Sequence, residues 1–543
     1  MTRQAKKWLG VFLAVVLVFA MAPMAAFAVD EVASVEGGAS YTSVQEAIDN
    51  ANGKTVTLLD NVAESITIPA GTSVTLNLGE FTLTNTAGKH TITNNGTLTL
   101  TGTGTVDNIS HGRGALVNNA GGNVTLNGPT LTRSAEKGSS STNNGGNSWY
   151  VVDNHGTMTV ESGSIISRSY FSSLLRNIRA TLNVNGGTME SNFIVLKNDD
   201  EGVMNITGGT ITTKGTGGSA LQNWGEATIS GGTLNAPADA AAIYALTWDE
   251  NYKSEVTIQD GATVNGVVLV TQDTNYGVGT PKVTMEGGVV TGGFQAGQQA
   301  DVQITGGQVQ GSLLETNPTG SIQISGGEFE ANPASFLTAD VAAIGYTPAD
   351  GAASYQVGTV EEIETFIDEN AGAGDAIEVL QGSLELTEVP DGVTFSNTGD
   401  GNVTVNGDEV TDEPIVTHTH ELTHVPAVDP TPAKPGNIEY WYCEGCGKYF
   451  ADADATQEIT EADTYLAPEG TADIPGSNVG QVGGGDWQWP SSSGGSTSGS
   501  GSSNGSTSGD KLNPDTGDSS LMAGVVLLAA VSVGGILLSK KRK

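Results

Sequence analysis

Cys443 and Cys446 stand in CEGCGK at C-x-x-C spacing, and His420 and His424 stand in HTHELTH at H-x-x-x-H spacing. Two thiolates and two imidazoles are a donor set for a tetrahedral zinc ion. These are also the only two cysteines among 543 residues, and in an oxidising exterior they would serve equally as one disulfide. The sequence leaves both readings open. Either makes residues 413–468 a small structural module, zinc-ribbon-like in its ligand pattern.

A second group lies further upstream. Asp153, Arg176 and Lys197 each precede an asparagine, in VVDN, LLRN and VLKN. A base beside a carboxylate can take the proton α to a uronate carboxyl while a cation stabilises the enolate. An ion pair between Asp153 and Arg176 on neighbouring strands accounts for the same residues without any reaction. His155 reads as an ordinary turn residue. Trp149, Tyr150, Tyr170, Phe171 and Phe193 offer a strip on which sugar rings could stack, with Trp149 and Tyr170 the binding candidates; the alternative is burial beneath the polar insertion RSAEKGSSSTNNGGNSW.

The elements that position these residues are read from a recurring phrase. MNITGGTIT at 204–212 returns as LNVNGGTME, ATISGGTLN, VQITGGQVQ and IQISGGEFE. Aligned, the phrases give an apolar column through Leu76, Leu100, Leu126, Val160, Val184, Ile206, Ile229, Ile258, Met285, Ile304 and Ile324. Each is preceded by Thr, Asn or Gln, the alternation of a half-buried strand. The Gly-Gly pair lets the chain turn with positive φ.

Upstream of several phrases a short apolar strand ends in asparagine, giving a second column at Asn95, Asn119, Asn154, Asn177, Asn198 and Asn223. Stacked amides can hydrogen-bond from one rung to the next. A period of roughly 20 to 30 residues without intervening helices predicts an all-β solenoid, a right-handed parallel β-helix over 29–345. Eleven rungs about 4.8 Å apart would make a rod of about 50 Å. TSVQEAIDN at 42–50 predicts an N-terminal capping helix. Residues 346–412 repeat that cap and its following strands as a truncated α+β unit, and 469–512, rich in Gly and Ser, form a linker.

The chain carries 60 acidic against 22 basic residues, a net charge of −38. Such a surface repels nucleic acid. With two cysteines there is no disulfide framework, so stability has to come from the repeated core.

Residues 1–28 join a basic start, an apolar run and Ala26-Phe27-Ala28, the pattern of a cleaved secretory signal. At the other end, Asn513-Pro514-Asp515-Thr516-Gly517 precedes an apolar stretch at 521–538, long enough for a transmembrane segment, and a basic tail, within 513–543. This order resembles the cell-wall sorting signal of Gram-positive surface proteins, with an LPxTG-like motif. The resemblance implies a sortase that cuts between Thr516 and Gly517 and joins the chain to peptidoglycan. The family motif begins with Leu, whereas this one begins with Asn513 after Leu512. The solenoid resembles the pectate-lyase-like superfamily, which implies action on acidic polysaccharide along an outward face. One acid is too few for the calcium site of those lyases. The stretch from His418 through YWYCEGCGKYFAD resembles a small module of surface proteins in anaerobic Gram-positive bacteria. Relatives carry a Cys after Pro-Thr, where this chain has Pro432 after Thr431.

The expected function is therefore that of a secreted, wall-anchored protein presenting an adhesin or a carbohydrate- or protein-binding module. The alternative is a polysaccharide lyase or glycoside hydrolase using Asp153, Arg176 and Lys197.

Overall fold

The computed structural model describes residues 30–134, 149–168, 172–247, 253–273, 278–455 and 457–468. The expected signal peptide, linker, sorting signal and transmembrane stretch lie outside these residues, as does Tyr170. No helix among the described residues is long and apolar enough to cross a membrane.

The larger unit is a parallel β-solenoid of about ten turns. Its register is the register read from the phrase. Leu76 pairs with Leu100, Leu100 with Leu126, and the column continues unbroken through Val160, Val184, Ile206, Ile229, Ile258, Met285 and Ile304 to Ile324. All eleven side chains are at most 1 % exposed. Because side chains alternate across a strand, the intervening Thr, Asn and Gln point outward, and they too stack. Asn205 Nδ2 donates to Asn183 Oδ1 at 3.0 Å.

The two glycines of the phrase serve different purposes. Gly209 has φ +86°, the left-handed conformation that a side chain disfavours. Gly208 is needed for space, since a Cβ there would meet the Asn185 carbonyl oxygen at 2.3 Å. One glycine makes the corner and the other lets successive coils approach.

A separate eleven-stranded parallel sheet closes the coil on another side and carries the asparagine ladder. Amide to amide, Asn94 donates to Asn118, Asn118 to Asn154, Asn154 to Asn177, Asn177 to Asn198 and Asn198 to Asn223, at 2.7–2.9 Å. All six are fully buried. The sequence expectation of Asn95 and Asn119 is corrected by one residue. In the strand Ile92–Asn94 the inward positions are Ile92 and Asn94, so strand parity selects the first asparagine of each Asn-Asn pair. Asn95 and Asn119 form their own bond beside the ladder, 2.8 Å long.

The helix Val44–Asp49 starts at Ser43, whose hydroxyl accepts from the Glu46 N–H, and buries Val44, Ala47 and Ile48. Glu64 holds its first turn, accepting from the Ser43 hydroxyl and from the Val44 and Gln45 N–H groups. The second expected helix is present at Val360–Asn370.

Most of the remaining chain forms a second unit. Its C-terminal part, within 413–468, is a four-stranded antiparallel sheet of Leu422–Val425, Tyr440–Cys443, Tyr449–Phe450 and Glu458–Ile459, with the two-stranded pair Gly436–Asn437 and Tyr465–Leu466. Among its described residues the fully buried apolar side chains are Cys443 and Phe450 alone. That is too little burial to hold so short a chain by hydrophobic packing.

Candidate functional site

His418, His420, Cys443 and Cys446 bring one donor atom each to within 4.8 Å of one another. His418 Nε2 lies 3.1 Å from His420 Nδ1, and Cys446 Sγ lies 3.6 Å from that same nitrogen. For bonds of ~2.0–2.3 Å a tetrahedron has edges of roughly 3.3–3.8 Å, so closing a coordination shell needs the two nitrogens to part slightly and the widest separations to shorten. The cysteines are present as free thiols. Their turn is closed by the Gly447 N–H donating to the Cys443 carbonyl (2.9 Å) and the Cys443 N–H donating to that of Lys448 (3.0 Å).

His424, expected as a ligand, is not part of the group. Leu422 lies opposite Cys443 and His424 opposite Trp441 in the antiparallel pair, so His424 sits two residues, about 7 Å, farther from the cysteine turn. Its ring stacks on Trp441 at 4.8 Å, and its Nε2 meets Glu439 Oε1 at 2.9 Å. The chain before Leu422 runs toward the turn instead. His418 and His420, two apart in extended chain, take the places there. The signal for this was H-x-H rather than H-x-x-x-H.

The far nitrogen of His420 faces Asp408 Oδ2 at 3.8 Å, and Asp408 is held by Lys448 Nζ at 2.6 Å. A carboxylate behind a ligating imidazole orients the ring and fixes its tautomer. Burial lowers the pKa of His420, against the opposing pull of Asp408, which favours the neutral imidazole that a metal requires. Burial raises that of the Cys446 thiol, and Cys443 beside it acts in the same direction. Two nitrogens and two sulfurs suit zinc better than calcium or magnesium, which prefer oxygen.

On the solenoid, Asp153, Arg176 and Lys197 occupy paired positions on three successive coils, as expected. Their charges are satisfied among neighbours. Arg176 Nε and Nη2 reach the two oxygens of Asp153 at 2.8 and 2.9 Å, a bidentate pair. His155 is not an idle turn residue, because its Nε2 lies 3.2 Å from the same carboxylate. Lys197 Nζ pairs with Asp199 at 2.7 Å and lies 4.3 Å from the centre of the Trp224 ring, while the Arg176 guanidinium lies over Tyr150 at 4.6 Å. Asp153 is only 2 % exposed. Its burial alone would raise the carboxyl pKa, but hydrogen bonds from His155 and Arg176 and the Arg176 charge overcome this and hold it below the ordinary value.

Trp149 is half-buried, with its ring centre 5.7 Å from that of His90, and Tyr150 lies edge-on to it at 6.2 Å. The chain matches no family model, no curated protein and no solved structure.

Proposed function

We propose that this protein is a cell-surface binding protein: a β-solenoid capped by its N-terminal helix, displayed from a Gram-positive cell wall, and acting as an adhesin or carbohydrate- or protein-binding module. The residues of the solenoid most suited to catalysis are occupied with one another, and this carries the reading. A general base has to be reachable by substrate. Asp153 is buried with both oxygens engaged by Arg176, and the Lys197 ammonium is committed to Asp199. Such pairing stiffens the coils that carry it, and the outward columns of Thr, Asn and Gln on the other sheet suit recognition without turnover.

The Cys/His group holds a structural zinc ion in this reading, with His418, His420, Cys443 and Cys446 as ligands and Asp408 behind His420. A bound ion would supply the cohesion that two buried apolar side chains cannot.

Two measurements test the proposal. The purified protein should bind ligands on a glycan and protein array and release no product from polyuronate with Ca²⁺; unsaturated or reducing ends that vanish in Arg176→Ala would establish the lyase or hydrolase instead. Thr516→Ala should move the protein out of the covalently attached wall fraction, and unchanged attachment would remove sortase anchoring.

A further inference from the structure

Acids of the solenoid capture five of its described bases. Arg176, Arg179, Lys197, Lys214 and Lys253 each lie within 4 Å of a carboxylate oxygen. Near the start of the solenoid the pattern changes. A shallow cleft, largely open to solvent and about 580 Å³ in volume, is lined by Ser65, Thr67, Lys89, His90, Thr93 and Arg113, with Ile66 and Gly88 completing it. In a chain with nearly three acids per base, this lining contains two bases, a histidine and no acid.

Its donors come from three coils and are directed by the backbone. Thr67 and Thr93 are paired outward positions on adjacent strands. Arg113 spends Nε on the Gly88 carbonyl (2.9 Å) and one Nη1 hydrogen on that of Gly112 (2.6 Å). Those two bonds fix the guanidinium and leave three of its five N–H groups for a ligand. His90 Nδ1 accepts the Gly114 N–H at 2.9 Å, so in the neutral ring the proton sits on Nε2, a further donor. Lys89 is exposed, and its ammonium makes no ion pair with a described carboxylate. Trp149 flanks the group through its contact with His90.

We propose that this cleft is a subsite for an acidic sugar, its single carboxylate held by Arg113 and Lys89 and its hydroxyls by His90, Ser65, Thr67 and Thr93. The proposal rests on the binding reading above and gives it a place and a ligand class. A planar guanidinium with fixed free donors matches a carboxylate, and neighbouring side-chain hydroxyls match those of a sugar ring. The rest of the molecule narrows the choice further. A net charge of −38 opposes any densely charged chain, nucleic acid or heavily sulfated polysaccharide alike, because such a polymer extends well beyond the cleft. An isolated carboxylate on an otherwise neutral glycan meets mainly the local cations, since the nearby Asp153 is paired with Arg176 and screening limits the distant field to about 8 Å at physiological salt.

The test titrates the purified protein with sialyllactose against lactose, glucuronic acid against glucose, and sodium sulfate as a simple anion, followed by calorimetry or NMR. At least one acidic sugar should bind ten-fold or more tightly than its neutral partner and than sulfate. Lys89→Glu should weaken that binding about ten-fold with an unchanged circular dichroism spectrum. Arg113→Gln should weaken it more, and the Lys89 variant keeps the test valid if loss of the Gly88 and Gly112 bonds disturbs the loop. Equal binding of acidic and neutral sugars, equal binding of sulfate, or acidic-sugar binding indifferent to both variants would each overturn the proposal. In the last case the protein still binds glycan and the site lies elsewhere. Silence of all these probes also overturns it, and the broader binding reading falls only if the array is blank as well.

Discussion

The solenoid and the Cys/His module keep their shape by opposite means. In the solenoid the core contacts have copies: eleven apolar side chains in one column and six asparagines in one ladder, linked from coil to coil. In the module almost nothing is repeated, the fully buried apolar side chains among its described residues number two, and four donor atoms converge on one point. Repetition spreads stability along the stack, so damage stays local. Convergence concentrates it, so damage is total.

The sharpest way to break this contrast is to remove the convergence. Chelator, or Cys443→Ser, should abolish the ordered structure of the module outright, because a structural zinc ion supplies folding free energy that the small core lacks. The β signal of the solenoid should persist. NMR or limited proteolysis within 413–468 reads the result, and a module that stays protected under chelation would show that packing suffices.

The same comparison predicts smaller effects for the solenoid. Ile206→Ala should cost about 2–5 kcal/mol, as for other buried aliphatic truncations. Asn154→Ala interrupts the ladder on both sides and leaves buried amides unpaired, at about 1–3 kcal/mol. Hydrogen exchange should show both losses confined to neighbouring coils, whereas a single cooperative collapse would contradict local stability.

What the sequence revealed follows the same division. The column from Leu76 to Ile324 was legible because each coil imposes one inward position and each copy of the phrase fills it with an apolar residue. The ladder was legible to within a residue: Asn-Asn pairs at 94–95 and 118–119 offer two candidates, and only strand parity chooses between them. Sites that occur once leave no period. His418 and His424 flank the same short motif, and the antiparallel register with Tyr440–Cys443 decides which of them reaches the cysteines. Lys89 and Arg113 belong to no phrase; folding of adjacent coils brings them together across 24 residues of sequence. The partnership of His155 with Asp153 was equally hidden, since it depends on where a turn side chain folds back.

Acid should expose a cluster on the solenoid that is not repeated, the one around Asp153. The Asp153 carboxyl has a folded pKa below its ordinary value of about 3.9, so its contribution is complete above that pH and is lost as pH falls through the folded value. Asp153→Asn should therefore destabilise the solenoid by about 1.5–3 kcal/mol near neutrality, the worth of hydrogen bonds to a charged group. The difference from the unmodified protein should shrink below pH 4. Thermal unfolding of both proteins from pH 7 to pH 3 measures it, and a difference constant with pH would mean that the ion pair contributes only shape.

The smallest expected effect separates the ligands of the module most finely. His424 carries the spacing of a ligand, but its ring is nearly half exposed, stacked on Trp441 and bonded to Glu439. Exposed polar contacts of this kind are worth roughly 0–1 kcal/mol at most. His424→Ala should accordingly change zinc affinity less than two-fold and trim only a little stability from the sheet. His418→Ala removes a donor from the converging group and should weaken zinc binding by orders of magnitude. Competition against a coloured chelator distinguishes the two variants directly. If His424→Ala releases the ion and His418→Ala keeps it, the strand Leu422–Val425 must shift by two residues against Tyr440–Cys443 when metal binds, and the four-stranded sheet described above would be a different one in the loaded protein.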